Sequence, residues 1–212
     1  MHFLSPSLEN YIAEHSQKEP SLLSELTRET HLKVVRPRMI TGHHQGRVLS
    51  LLSKLIRPKH ILEIGTYTGY AALCLAEGLQ PNGKLITLEA NAELGGRIRA
   101  YFDQSEHKEQ IELRIGNAVD VIPSLTETWD LVFIDADKGN YSTYFDLVID
   151  QLNTGGIIIA DNVLWSGKIS DPSKNDPATK SLREFNAKVH ADSRVQNVLF
   201  PIRDGLMILR KL

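Results

Sequence analysis

Two short apolar runs in this chain end in acid. Leu131-Val132-Phe133-Ile134 leads into Asp135, and Ile157-Ile158-Ile159-Ala160 leads into Asp161-Asn162. Both are too short for helices and carry β-branched residues, so they read as buried strands. In an open α/β sheet, ligands bind beyond the carboxyl ends of the strands. Three hard oxygen donors at two strand tips therefore suggest a small divalent cation. Helix capping is the plainer alternative: Asp161 or Asn162 can cap a following helix, and Asp137 can cap the helix that starts at Tyr141. The grouping of Asp135, Asp137 and Lys138 on one tip with Asp161 and Asn162 on the next favours a site. Lys138 stands at its rim, where a nearby dication and a dry pocket would lower its pKa enough for it to act as a base.

The rest of the chain supports an α/β sheet. Residues 1–57 read as helices, with Pro20 between the first two and Gly46 to Ile56 forming a third. The period then changes. Ile61 to Ile64, Leu85 to Glu89, Ile111 to Ile115 and the two acid-tipped runs read as strands. Helical stretches at Tyr70–Leu79, Ala92–Phe102, Ala118–Ser124, Tyr141–Leu152 and Asp176–Ala191 alternate with them. This alternation predicts a parallel, doubly wound sheet. Val195 to Ile202 and Leu206 to Leu209 are joined only by Arg203-Asp204-Gly205, too few residues for a crossover helix, so they form an antiparallel hairpin.

A chain of 212 residues suits one α/β domain. The net charge is -2 and no Lys/Arg run marks a nucleic-acid surface. Cys74 is the only cysteine, so no internal disulfide forms, and a buried structural thiol is expected. Residues 1–17 lack the pattern of a secretion signal, and no apolar stretch approaches a membrane span. A cytoplasmic protein without a membrane or nucleic-acid partner is expected.

The first strand-to-helix turn, Glu63-Ile64-Gly65-Thr66-Tyr67-Thr68-Gly69-Tyr70, is glycine-rich but lacks the G-x-G-x-x-G spacing of a dinucleotide site. A structural tight turn is the plain reading. Glu89, 24 residues after Gly65 at the end of the next strand, changes the balance. A carboxylate there can accept both hydroxyls of a ribose, so Gly65 and Glu89 together argue for an adenosine-type cofactor.

These segments together, ILEIGTYTGYAA, LITLEAN, GNAVDVIP, FIDADKGNY and IIIADNVLWSGK, followed by PIRDGLMILRK, resemble the cation-dependent class I O-methyltransferases, the catechol and caffeoyl-CoA O-methyltransferase group with its small bacterial members. The resemblance covers residues 35 to 212. It implies a Rossmann-like, mostly parallel seven-stranded sheet of order 3-2-1-4-5-7-6 with the last strand antiparallel. It also implies one methyltransferase domain, in which residues 1–57 supply helices and a segment over the cofactor, and residues 58–212 the core.

The resemblance further implies S-adenosyl-L-methionine as methyl donor, with Mg²⁺ or another divalent cation such as Mn²⁺ or Ca²⁺ on Asp135, Asp161 and Asn162. Glu89 would hold the ribose. Thr41, Glu63, Gly65, Thr66 and Tyr70 would lie near the methionine portion, and Ala90, Asn117 and Ala118 near the adenine. Asp135 would join cofactor and metal, Asp137 would approach the cofactor's amino group, and Lys138 matches the general base. Ala71 stands where the family often has serine, which leaves the helix N-terminus to bind the carboxylate. His43 and His44 are adjacent rather than at zinc-ligand spacing and are expected to rim the pocket.

The implied partner is a hydroxylated aromatic small molecule, and the implied assembly a homodimer. Trp165 reads either as a wall over a flat acceptor or as core packing. Three other functions compete: methylation of a hydroxylated uridine in tRNA, a nicotinamide-dependent dehydrogenase disfavoured by the absent G-x-G-x-x-G, and a non-catalytic cofactor-binding module disfavoured by the acid set and Lys138.

Overall fold

A computed structural model describes residues 5–212. Met1–Leu4, where the N-terminal helical portion and the signal-free segment were expected to begin, lie outside the described residues. The sheet contains β1 (His60–Ile64), β2 (Lys84–Glu89), β3 (Ile111–Ile115), β4 (Trp129–Ile134), β5 (Leu152–Asp161), β6 (Val195–Phe200) and β7 (Leu206–Lys211). Its order is β3-β2-β1-β4-β5-β7-β6. Pairings among β1 to β5 are parallel, and β7 runs antiparallel to both β5 and β6. The expected topology, including the closing hairpin, is the one observed.

Helices cover both faces, which is why the central strands read as unbroken apolar runs rather than alternating ones. Successive residues of one strand serve opposite cores. Leu131 and Phe133 of β4 pack with Leu26 of α2 (Ser21–Lys33), Leu49 of α3 (His43–Ile56) and Leu75 of α4 (Tyr70–Ala76). Val132 and Ile134 pack with Tyr141 and Phe145 of α7 (Tyr141–Ile149) and Phe185 of α8 (Pro177–Ala191). Asp176 caps α8, accepting from the Thr179 amide at 3.2 Å.

Some expected boundaries move for identifiable reasons. The helix from Tyr141 ends at Ile149, not Leu152, and β5 begins at Leu152, five residues early. Lys211 Nζ donates to the carbonyls of Ile149 and Leu152, both at 2.7 Å, and so caps the helix and anchors the strand start. Gly155 (φ 80°) and a register shift between Trp129 and Leu131 let β5 continue through Gly155-Gly156. The helix from Tyr70 ends at Ala76 rather than Leu79. Residues 92–94 form a 3-10 turn ahead of α5 (Gly95–Phe102). No described helix is long and apolar enough to cross a membrane.

Candidate active site

The turn after β1 is shaped by contact with the tip of β4. Gly65 has φ 98°, and a Cβ there would lie 2.2 Å from the Asp135 carbonyl oxygen. Only glycine allows both the conformation and the approach. The two tips thereby touch, and a cleft opens beside them, lined by Ile40, Thr41, Gly65, Thr66, Tyr70 and Asp135 among others. Tyr70 borders this cleft, but its hydroxyl donates away from the glycine turn, to Glu19 Oε1 at 2.5 Å.

Beneath the cleft, Glu63 is fully buried. Its Oε2 accepts from the Thr87 hydroxyl, while Oε1 has no partner. Burial, only partly countered by Thr87 and reinforced by Asp135 and Glu89, pushes its carboxyl up to about 8. Thr66 and Thr87 share a hydroxyl contact of 2.5 Å. At the tip of β2, Glu89 accepts from the Tyr67 amide at 2.7 Å and the Asn91 amide at 2.8 Å, one bond per oxygen. Each oxygen keeps another lone pair for a ligand hydroxyl. Ala90 follows it, exposed. Asn117, just past the adjacent tip of β3, uses its side-chain oxygen to cap α6 (Ala118–Val121) at the Val119 amide, 3.2 Å away, and Ala118 is buried.

The acid tips lie on the other side of Asp135. Asp161 is 3% exposed. Its Oδ1 accepts from the Asn162 amide and its Oδ2 from Gln45 Nε2, both at 2.6 Å. Burial, reinforced by Asp135, pushes the carboxyl up to about 7. Lys138 Nζ donates to Asp135 Oδ1 at 3.0 Å and to the Tyr141 hydroxyl at 2.6 Å. Tyr141, fully buried, in turn donates to the Asp161 carbonyl at 2.9 Å. One phenol therefore ties Lys138 to the strand tip that carries Asp161.

Neither Asp161 nor Asn162 caps a helix; Asn162 adopts the left-handed region at φ 60°. Asp137 precedes the 3-10 turn Lys138–Asn140 without a side-chain capping bond, and its exposed carboxylate accepts from Asn140 Nδ2 at 2.7 Å and from Tyr144. Among the described residues no cluster of three His, Cys, Asp or Glu side chains forms a metal site. The candidate set differs from such a cluster in having an asparagine as its third oxygen donor. It suits a hard dication: the buried Asp161 carboxyl has only neutral hydrogen-bond donors, and a cation beside it would favour the charged form that burial disfavours.

The outer wall is a 3-10 turn, Trp165–Ser170. Trp165 has φ 47°, its indole N–H is buried without a partner, and Lys138 and Lys168 lie 6.0 and 5.8 Å from its ring. The hairpin turn holds this wall. Asp204 accepts the Ser166 amide at 2.5 Å through Oδ1, and its carbonyl accepts the Leu164 amide at 2.9 Å. His43 Nε2 meets the Gln17 carbonyl at 2.6 Å, and burial with His43 and Arg203 nearby lowers the His44 pKa. Cys74 is buried and its thiol pushed up to about 12, as suits a packing residue.

Gln45 and Tyr141 were not legible as site residues from sequence. Gln45 bonds across 116 positions of chain, and nothing local announces that. Tyr141 reads as the first core residue of a helix.

A family model described as O-methyltransferase matches residues 13–212. The chain belongs to this O-methyltransferase family. Among its relatives, a catechol O-methyltransferase of Niastella koreensis is 37% identical over 163 residues, 75% of this chain and 74% of that protein. Caffeoyl-CoA O-methyltransferase 5 of Nicotiana tabacum is 34% identical across 98% of this chain and 92% of its own. The solved O-methyltransferase TomG from Streptomyces achromogenes, in complex with SAM, superposes with a TM-score of 0.88 at 28% identity, covering 97% and 96% of the two chains.

The raised carboxyls of this O-methyltransferase set the direction of its pH dependence. Asp161 and Glu63 titrate higher folded than unfolded, so the folded state binds more protons between the carboxylate range and pH 8. Their contribution to stability is complete below the unfolded carboxylate range and is lost as pH rises through about 7 and 8. Calorimetry in chelator should show the melting temperature falling from pH 5 to 8, and Glu63→Gln should flatten the slope. A melting temperature rising across that window would contradict the burial of these acids.

Proposed function

We propose that this chain transfers a methyl group from S-adenosyl-L-methionine to one oxygen of a vicinal dihydroxy aromatic small molecule, in a divalent-cation-dependent reaction. Asp135 carries this reading: it borders the glycine cleft, influences the buried Asp161 and bonds Lys138. Glu89 has spare acceptor capacity for a ribose, with Ala90, Asn117 and Ala118 on the adenine side. Thr41, Glu63, Gly65, Thr66 and Tyr70 surround the methionine side, and Asp137 is available to its amino group. Among the described residues, 5–57 supply helices and a segment over the cofactor, and residues 58–212 the core of one domain.

Asp135, Asp161 and Asn162 would hold the cation, with Mg²⁺ the first choice and Mn²⁺ or Ca²⁺ able to replace it. When bound, it supplies positive charge beside the acceptor oxygens and favours loss of a hydroxyl proton. Lys138 Nζ, held by Asp135 Oδ1 and the Tyr141 hydroxyl, would be the group that takes that proton once it has given up its own to solvent. S-adenosyl-L-methionine, held by Glu89 on its ribose side and by the Gly65 turn on its methionine side, would supply the methyl group to the acceptor oxygen, with the carbon–sulfur electron pair left on sulfur as S-adenosylhomocysteine. In-line positioning with reacting atoms about 3 Å apart accounts for much of the acceleration. Trp165 forms the wall against the flat ring.

Labelled methyl donor, Mg²⁺ and a panel of catechols test the reading. Transfer to vicinal diols should stop with chelator and return with Mg²⁺, and monohydroxy phenols should be poor acceptors. Transfer that is indifferent to chelator, or equal rates on monohydroxy phenols, would overturn it.

A further inference from the structure

Gln45 is the side chain that the chemistry above does not use. It lies in the first turn of α3, is 1% exposed, and donates through Nε2 to Asp161 Oδ2 at 2.6 Å. Burying a primary amide is costly unless its hydrogen bonds are replaced; an apolar side chain would fill the space without that cost. The backbone around it has little freedom. At Gly46 a Cβ would lie 2.5 Å from the Tyr70 ring and 2.9 Å from Cys74 Sγ, so this turn is pressed onto α4. Four residues before Gln45, Thr41 is buried and lines the cleft. One short, tightly seated segment therefore touches the cleft at Thr41 and the acid tip at Gln45.

The type of donor matters. An ammonium, such as the one Lys138 gives Asp135, neutralises the acid it bonds. An amide orients a carboxylate and leaves its charge intact. With one donor on each oxygen, the Asp161 carboxylate keeps two lone pairs for a cation.

We infer that Gln45 is a positioning residue: it orients Asp161 for a divalent cation and couples cation binding to the Thr41 segment that lines the cofactor cleft. This rests on the proposed function. Coupling between two sites is reciprocal, so each ligand tightens the other by the same factor. Partners that orient metal ligands typically carry 10- to 100-fold in affinity.

The test uses the full-length protein, Mn²⁺ followed by electron paramagnetic resonance, and S-adenosylhomocysteine followed by calorimetry. In the wild type, saturating Mn²⁺ should tighten S-adenosylhomocysteine binding by about fivefold or more, with the same factor on Mn²⁺ in the reverse experiment. Gln45→Met, which keeps the volume and loses the donor, should weaken Mn²⁺ about 10- to 100-fold and bring the mutual factor close to one. Its metal-free affinity for S-adenosylhomocysteine should stay within about twofold of wild type, well short of any coupling effect. Gln45→Asn, too short to reach Asp161, should behave alike, and is read in place of Gln45→Met if circular dichroism shows that variant unfolded. Wild-type Mn²⁺ affinity and coupling in a folded variant would overturn the inference. So would a metal-free loss of S-adenosylhomocysteine binding as large as the loss of Mn²⁺ binding, which would mean a collapsed segment. A wild type that binds neither ligand would instead overturn the functional reading.

Discussion

Asp161→Asn should yield a protein that melts higher and does almost no chemistry. With Mg²⁺ present, kcat/KM is expected to fall at least 10³-fold, about 4 kcal/mol of transition-state stabilisation. In chelator at pH 8, the melting temperature should rise. The wild-type carboxylate is buried beside Asp135 with only neutral donors. Above about pH 7 it is charged, with burial and Asp135 only partly offset by Lys138, and asparagine removes that charge at nearly constant volume. Gln45 can turn its amide to accept from the new side chain. Initial rates and calorimetry on one preparation check both halves. Retained activity would remove Asp161 from the cation site; a lower melting temperature would mean its charge is compensated in the wild type. Function here opposes stability at a single atom pair.

Lys138→Met should lower kcat by about 10²–10⁴-fold, the span for a positioned acid or base, with little change in S-adenosylhomocysteine affinity. Removing the ammonium also frees Asp135 Oδ1, now bonded at 3.0 Å. Mn²⁺ should therefore bind the variant as tightly as wild type or more tightly, because Lys138 and a cation compete for that oxygen. Steady-state kinetics beside Mn²⁺ titration separates the two roles. A kcat within about threefold of wild type, far short of general-base contributions, would rule out Lys138 as the base, and weakened Mn²⁺ binding would make it a structural support of the site.

The sheet and half of the site were readable from residue order because their signals are local. A four-residue β-branched run between turns has few alternatives to a buried strand, and its terminal acid is placed by topology. The hairpin followed from the brevity of Arg203-Asp204-Gly205. Glu89 could be placed at the tip of β2, beside the glycine turn, by its distance from Gly65. What was not readable depends on distant partners. The start of β5 at Leu152 depends on Lys211 bonding the Ile149 and Leu152 carbonyls. The setting of Asp161 depends on Gln45, and that of Lys138 on a tyrosine whose helical position signals only packing. The high pKa of Glu63 comes from its complete burial in the middle layer, which a strand-terminal glutamate does not reveal by itself.

The insertion of β7 between β5 and β6 also limits which strand pairs a growing chain can make. Until residues 206–211 have been synthesised, the strand ending in Asp161 has β4 on one side and an open ladder on the other. The pairings among β1 to β4, with the glycine turn after β1, do not involve β7. Pairs such as Ile157 with Arg210 form last, and such long-range strand pairing is slow. A chain stopped before Leu206 thus exposes an aggregation-prone edge and leaves the turn that bonds the Trp165 segment through Asp204 without its second strand. The strand that carries Asp161 gains its second neighbour only with residues 206–211.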